Sequence, residues 1–140
     1  MSLERTLSII KPDAMMSKQS GKILNFIEEK GFKISAQKKI RLTKKQAEGF
    51  YNVHKERPFF PELVEFMTSG PILVQVLEAN NAVNKYRDIM GTTNPEEAKN
   101  DTIRSLYGKD IQCNAVHGSD SLENAKIEIS FFFNELELLT

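Results

Sequence analysis

The run Ile72-Leu73-Val74-Gln75-Val76-Leu77 constrains this chain more than any other segment. It is almost wholly apolar, Gly70-Pro71 punctuates it on one side, and a helical pattern begins near Asn81 on the other. A strand that is apolar at both parities must be covered on both faces, so it belongs in the middle of a sheet. The rest of the chain has to provide the strands that flank it and the helices that cover it.

The remaining pattern supplies both. Thr6 to Lys11 reads as a strand stopped by Pro12. Ser20 is placed to cap a helix reaching about Lys30, with Ile23, Phe26 and Ile27 on one face and Gly31 closing it. A basic strand follows, in which Ile34, Ala36, Ile40 and Leu42 share one parity while Lys33, Lys39 and Arg41 share the other. That is a half-buried strand with a solvated face. A polyanion surface is the weaker reading, because no aromatic residue is interleaved there. Thr43 and Gln46 have capping-box spacing ahead of a stripe formed by Ala47, Phe50, Tyr51 and His54. Pro61 suits a first helical turn, followed by Leu63, Val64, Phe66 and Met67. A helix is expected from about Asn81 to Met90, ended by Gly91. Thr93 and Glu96 repeat the capping-box spacing, and Asp101 is placed to cap a short helix closed by Gly108. Asp120 or Ser121 caps a last helix carrying Leu122, Ala125, Ile129 and Phe132. Strands alternating with helices indicate an α/β domain. Periodicity alone leaves open whether the sheet is doubly wound or an antiparallel sandwich.

With 140 residues, one domain spanning 1–140 is expected. Formal net charge is zero, so strong non-specific binding to nucleic acid is not predicted. The single cysteine, Cys113, suits a reducing compartment. The first residues lack an apolar signal core, and no apolar run approaches the roughly 20 residues of a membrane span. The expectation is a soluble, cytoplasmic protein without membrane association.

The chemistry concentrates in Asn114-Ala115-Val116-His117-Gly118-Ser119-Asp120-Ser121. An imidazole just ahead of a helix N-terminus lies where backbone N–H groups favour negative charge. Gly21-Lys22 lacks the spacing of a P-loop, and no G-x-G-x-x-G, H-E-x-x-H or G-x-S-x-G pattern occurs. Phosphate would have to be bound by dispersed cations. His117 becomes a candidate nucleophile if an acceptor holds its far nitrogen, and Glu128, on the following helix, is placed to do so. Standing alone, a histidine beside a helix cap is more often structural.

It does not stand alone. Ile9-Ile10-Lys11-Pro12-Asp13, Phe50-Tyr51, Arg57-Pro58-Phe59-Phe60, Met67-Thr68-Ser69-Gly70-Pro71, Gly91-Thr92-Thr93-Asn94-Pro95, Thr102-Ile103-Arg104 and the histidine segment occur in that order. Jointly they resemble the nucleoside diphosphate kinase family over nearly the whole chain. The resemblance implies a ferredoxin-like four-stranded antiparallel sheet with helices packed on it. It implies γ-phosphoryl transfer from a nucleoside triphosphate such as ATP to a nucleoside diphosphate, by a ping-pong route through phosphohistidine at His117.

The same resemblance implies the other roles. Glu128 would orient the imidazole with support from Ser119. Lys11 would contact phosphates and the ribose 3′-hydroxyl, with Tyr51 near the transferred group and Asn114 near the sugar. Arg87, Thr93 and Arg104 would hold the non-transferred phosphates, and Phe59 would stack on the base. Mg²⁺ would ride on the nucleotide, with no direct protein ligand and Asp120 reaching it at most through water. A homo-oligomer is implied, hexamer or tetramer. Ala14 and Asp101 depart from the glycines many relatives carry at those places, and Asp101 raises the question of weakened nucleotide affinity. The Leu/Glu alternation of the tail after Phe133 suggests packing on a neighbouring subunit or surface. The competing reading is a non-catalytic nucleotide- or polyanion-binding regulatory module on the same fold.

Overall fold

The computed structural model describes residues 3–138. Its strands are β1 (Leu3–Ile10), β2 (Lys33–Ile40), β3 (Ile72–Asn80) and β4 (Val116–Gly118). Its helices are α1 (Pro12–Met16), α2 (Ser20–Glu29), α3 (Lys44–Phe50), α4 (Phe60–Met67), α5 (Ala82–Met90), α6 (Ile103–Tyr107) and α7 (Leu122–Phe132). The sheet order is β2-β3-β1-β4 and each neighbouring pair is antiparallel. That is the ferredoxin-like arrangement, and it removes the doubly wound alternative.

β3 is central and buried on both faces through Leu77. Parity sorts the two cores. Ile10, Leu73 and Leu77 face Ile23, Phe26 and Ile27 of α2 and Tyr86 and Met90 of α5. Leu7, Ile9, Val74 and Val76 face Ala47 of α3, Val64 and Met67 of α4, and Ile129 and Phe132 of α7. Polar positions inside the sheet are satisfied in a chain: Gln37 Nε2 donates to Gln75 Oε1 at 3.0 Å, and Gln75 Nε2 donates to Ser8 Oγ at 3.1 Å. Ser8 Oγ lies 2.7 Å from the Tyr86 hydroxyl.

Several local expectations are revised. Gln19, not Ser20, is the residue before α2, and Ser20 is already helical. The Thr43–Gln46 capping box forms, but α3 ends at Phe50, and Asn52–His54 is a separate 3₁₀ turn. Asn94, rather than Thr93, caps the next segment, which is a single 3₁₀ turn at Pro95–Glu97. Pro95 takes the first helical position there, so the residue before it must cap. Thr102 caps α6 through a reciprocal box with Ser105. Asp101 instead takes a left-handed φ of 62° and pairs with Lys30 at 3.2 Å. Asp tolerates that conformation better than most side chains, which accounts for its standing where glycine is common. Its carboxylate is engaged at Lys30 rather than with Arg104.

The tail folds partly onto its own chain. Asn134 caps a 3₁₀ turn at Glu135–Glu137, Glu137 pairs with Lys38 at 2.8 Å, and Leu138 packs against the α7 core. Leu136 remains 87% exposed. Among the described residues no helix is long and apolar enough to cross a membrane.

Candidate functional site

β4 is only three residues long, yet its register fixes the site. His117 pairs with Ile9, whose side chain lies in the α3/α4/α7 core, so the imidazole points to that same side of the sheet. There His117 Nε2 lies 2.9 Å from Glu128 Oε1. Ser119 Oγ donates to the same carboxylate oxygen at 2.9 Å. Ser119 is itself pinned to β1: its N–H donates to Leu7 O at 3.2 Å, and Leu7 N–H donates to its hydroxyl at 3.2 Å. Glu128 sits on α7, whose start is capped by Ser121 accepting from Asn124 N–H. Asp120 is exposed and accepts from Asn124 Nδ2 at 2.6 Å.

Aromatic rings wall one side of the imidazole. Phe50 meets it edge-on at 5.5 Å between centroids, and Tyr51 does so at 6.5 Å. Tyr51 is buried, and its hydroxyl has no hydrogen-bond partner among the described residues. Burial first, and Glu128 second, push that phenol above its ordinary pKa.

A second group of residues gathers beside β4. Lys11 is buried, and its Nζ donates to Asn114 Oδ1 at 2.8 Å. Asn114 Nδ2 donates onward to Thr93 O at 3.0 Å. Lys11 is therefore not the solvated strand-end lysine that its position before Pro12 would ordinarily give. Desolvation lowers its pKa to about 8, and the Arg104 guanidinium pushes in the same direction, while Asp13 and Cys113 oppose. Arg104 pairs with no acid among the described residues. Its guanidinium donates to Gly91 O at 3.0 Å and Val116 O at 2.9 Å, with Nε buried and without a partner among the described residues. Burial first, then Arg87, lowers its pKa. Arg87 is exposed and lines a cleft of about 620 Å³ with Gly91, Thr92, Lys99 and Thr102. Arg104 thus repels both Lys11 and Arg87, with Asp13 acting on Lys11 and Asp88 lining the same cleft as Arg87, and a bound anion would relieve that repulsion.

Phe59 stands apart from this cluster, before α4, half-exposed and against His54 at 5.5 Å. Phe60 packs into the core beside it. Thr93 is exposed and enters the network through its carbonyl.

Sequence reasoning missed two participants. Ala115, fully buried, has φ of 75°, and Val116 N–H donates back to Asn114 O at 2.9 Å. This is a γ-turn of the rare positive-φ kind, whose cost for a side-chain-bearing residue is about 1–3 kcal/mol. Asp13 Oδ2 accepts from Ala115 N–H at 3.1 Å, and Ala115 O accepts from Lys11 N–H at 2.9 Å. No local pattern marks an alanine for that conformation.

A family model described as Nucleoside diphosphate kinase matches residues 4–138. The nucleoside diphosphate kinase of Wolbachia sp. subsp. Drosophila simulans (strain wRi) is 62% identical over 139 residues, covering 99% of this chain and 100% of that one. The Persephonella marina protein of the same name is 58% identical, with 99% of each chain covered. The Aquifex aeolicus nucleoside diphosphate kinase structure superposes with a TM-score of 0.97 at 49% identity, covering 99% of this chain and 100% of that one. The Halobacterium salinarum enzyme, solved in complex with CDP, gives 0.95 at 37%, covering 99% and 93%. This chain belongs to the nucleoside diphosphate kinase family.

Proposed function

We propose that the chain, as one domain over 1–140, carries out its family's transfer of a γ-phosphoryl group with His117 as the carrier. The observation that carries this reading is the engagement of His117 Nε2 by Glu128. With Nε2 donating to the carboxylate, the Nδ1 lone pair is the nucleophile and the developing positive charge is compensated. Nδ1 attacks the γ-phosphorus, the bond from that phosphorus to the β,γ-bridging oxygen breaks, and the nucleoside diphosphate departs with that electron pair. A β-phosphate oxygen of a different nucleoside diphosphate then attacks the phosphohistidine and the P–N bond breaks.

The transition state is loose, so the protein's contribution is position and charge. Glu128, supported by Ser119, holds the ring. Lys11, Arg87 and Arg104 receive phosphate oxygens, with Thr93 beside the non-transferred phosphates. Tyr51 lies next to the transferred group, and Asn114, already bonded to Lys11, takes the sugar. Phe59 offers an exposed ring to any base, and a site that grips sugar and phosphates without reading a base edge accepts most nucleosides, deoxyribose included. The CDP bound by the Halobacterium relative is in keeping with nucleotide substrates.

Among the described residues no three His, Cys, Asp or Glu side chains converge as a metal cage. Mg²⁺ would arrive on the nucleotide phosphates, with Asp120 reaching it at most through water. When bound, the ion would neutralise phosphate charge. The working protein is a homo-oligomer, hexamer or tetramer, in the cytoplasm.

The non-catalytic binding module is disfavoured because binding alone needs neither the imidazole nor its carboxylate support. Incubation with γ-labelled ATP and Mg²⁺ should give alkali-stable, acid-labile label on the protein and none on His117→Ala. Absent label on the wild type, or full labelling of the variant, would sink the mechanism.

A further inference from the structure

We infer that Asp13 is a positioning residue for this transfer, acting on His117 through the backbone of Ala115 and on Lys11 through its charge. The inference rests on the reading of His117 as the carrier. Ala115 lies between the two halves of the site: Asn114, which binds Lys11, precedes it, and β4 with His117 follows. Its left-handed φ of 75° is one that a side-chain-bearing residue adopts only when surroundings impose it. Three hydrogen bonds impose it. Val116 N–H closes the γ-turn on Asn114 O. Lys11 N–H binds Ala115 O from the end of β1, and the Asp13 carboxylate takes Ala115 N–H from the first turn of α1. Of these, only the last depends on a side chain. If it is lost, Ala115 N–H is left buried and unpaired, and the turn can relax towards negative φ, carrying β4 with it.

Asp13 also carries a charge beside Lys11. The groups acting on Lys11 are Arg104, which opposes its proton, and Asp13 and Cys113, which favour it. Burial raises the Asp13 pKa, although its bond from Ala115 N–H and the nearby Lys11 favour the ionised form. Its Oδ1 is buried with no hydrogen-bond partner among the described residues, so that oxygen is turned away from solvent.

The two roles separate by substitution. Asp13→Ala removes both. Asp13→Asn keeps an oxygen that can accept from Ala115 N–H and removes only the charge. Ala115→Gly removes the strain that the clamp opposes, because glycine adopts positive φ freely. We expect Asp13→Ala to slow phosphohistidine formation about 10- to 100-fold at neutral pH, with the loss in kcat rather than KM. The double variant Asp13→Ala/Ala115→Gly should recover part of that loss. Asp13→Asn should lose less of the labelling rate at saturating ATP than Asp13→Ala does, and NMR of ¹³C-labelled lysine should show Lys11 losing its proton at lower pH than in the wild type. Circular dichroism establishes that each variant is folded. A folded Asp13→Ala at wild-type rate, a glycine that restores nothing, or an unchanged Lys11 titration in Asp13→Asn would overturn the inference. Should the wild type take no label while His117→Ala behaves identically, the carrier reading fails. The Lys11 titration then still tests Asp13 by itself.

Discussion

His117 Nε2 and Glu128 Oε1 stand 2.9 Å apart, and the Ser119 hydroxyl donates to that same oxygen. The carboxylate is thus shared between the imidazole and a buried serine that is itself bonded twice to Leu7. Glu128→Gln should slow labelling by about 10- to 100-fold, since the amide can present the wrong hydrogen-bonding group to Nε2. Ser119→Ala should slow it less. Single-turnover labelling at saturating ATP measures both, and equal rates in all three proteins would contradict the orienting role.

Lys11 links activity to stability. Its folded pKa of about 8 lies below the ordinary 10.5, so the unfolded chain binds the extra proton between those values. Folding stability from this group therefore rises as pH climbs from about 8 to 10.5, and the full penalty, about 3 kcal/mol, applies below pH 8. Lys11→Met should melt higher than the wild type in the nucleotide-free state while losing activity. The difference in melting temperature should narrow above pH 8. Thermal unfolding at pH 7 and at pH 10 checks the sign.

The pH–rate profile for kcat/KM, which reports the free enzyme, should fall as pH rises through about 8, where Lys11 loses its proton. Bound phosphate favours the charged ammonium, so the alkaline limb of kcat should lie at higher pH than that of kcat/KM. Steady-state rates across pH 6–10 at limiting and saturating substrate test this ordering.

Tyr51 buries a hydroxyl with no partner among the described residues. A buried unsatisfied polar group costs about 1–3 kcal/mol, so Tyr51→Phe should preserve or raise stability. Its kcat should nevertheless fall, because the Tyr51 ring borders the imidazole, 6.5 Å between centroids, where the transferred group would sit. A large loss of melting temperature would show that the hydroxyl is bonded in the working protein.

Gly118 follows His117 directly, and a Cβ there would lie 2.7 Å from Met90 Cε and 2.7 Å from Tyr86 Cδ2. Gly118→Ala should destabilise the fold by about 1–3 kcal/mol and displace β4, lowering activity as well. Urea unfolding together with the labelling rate checks both effects.

Much of the fold is legible locally. The apolar run at Ile72–Leu77 announced a central strand, Thr43 and Gln46 announced a capping box, and Gly31 and Gly91 closed helices at positive φ. Propensity failed where two polar residues competed for one cap. Ser20 entered its helix instead of capping it, Asn94 capped in place of Thr93, and Thr102 in place of Asp101. Cap choice depends on backbone angles, which neighbouring packing sets, and spacing alone does not report them.

The sequence by itself determined most of the elements, their order and the family, because burial periodicity, punctuation and motif order are properties of short stretches; the five-residue helix α1 and the three-residue strand β4 are too short to show a period and emerged only in the structure. Only the tertiary structure decided that Lys11 is buried on Asn114, 103 positions away. The same is true of Arg104 resting on the carbonyls of Gly91 and Val116, and of Asp13 holding the left-handed Ala115. The reason is physical. Periodicity shows which face of an element is covered, but what lies opposite depends on sheet order and register. Here β1 and β4, far apart in the chain, become neighbours and bring His117 opposite Ile9.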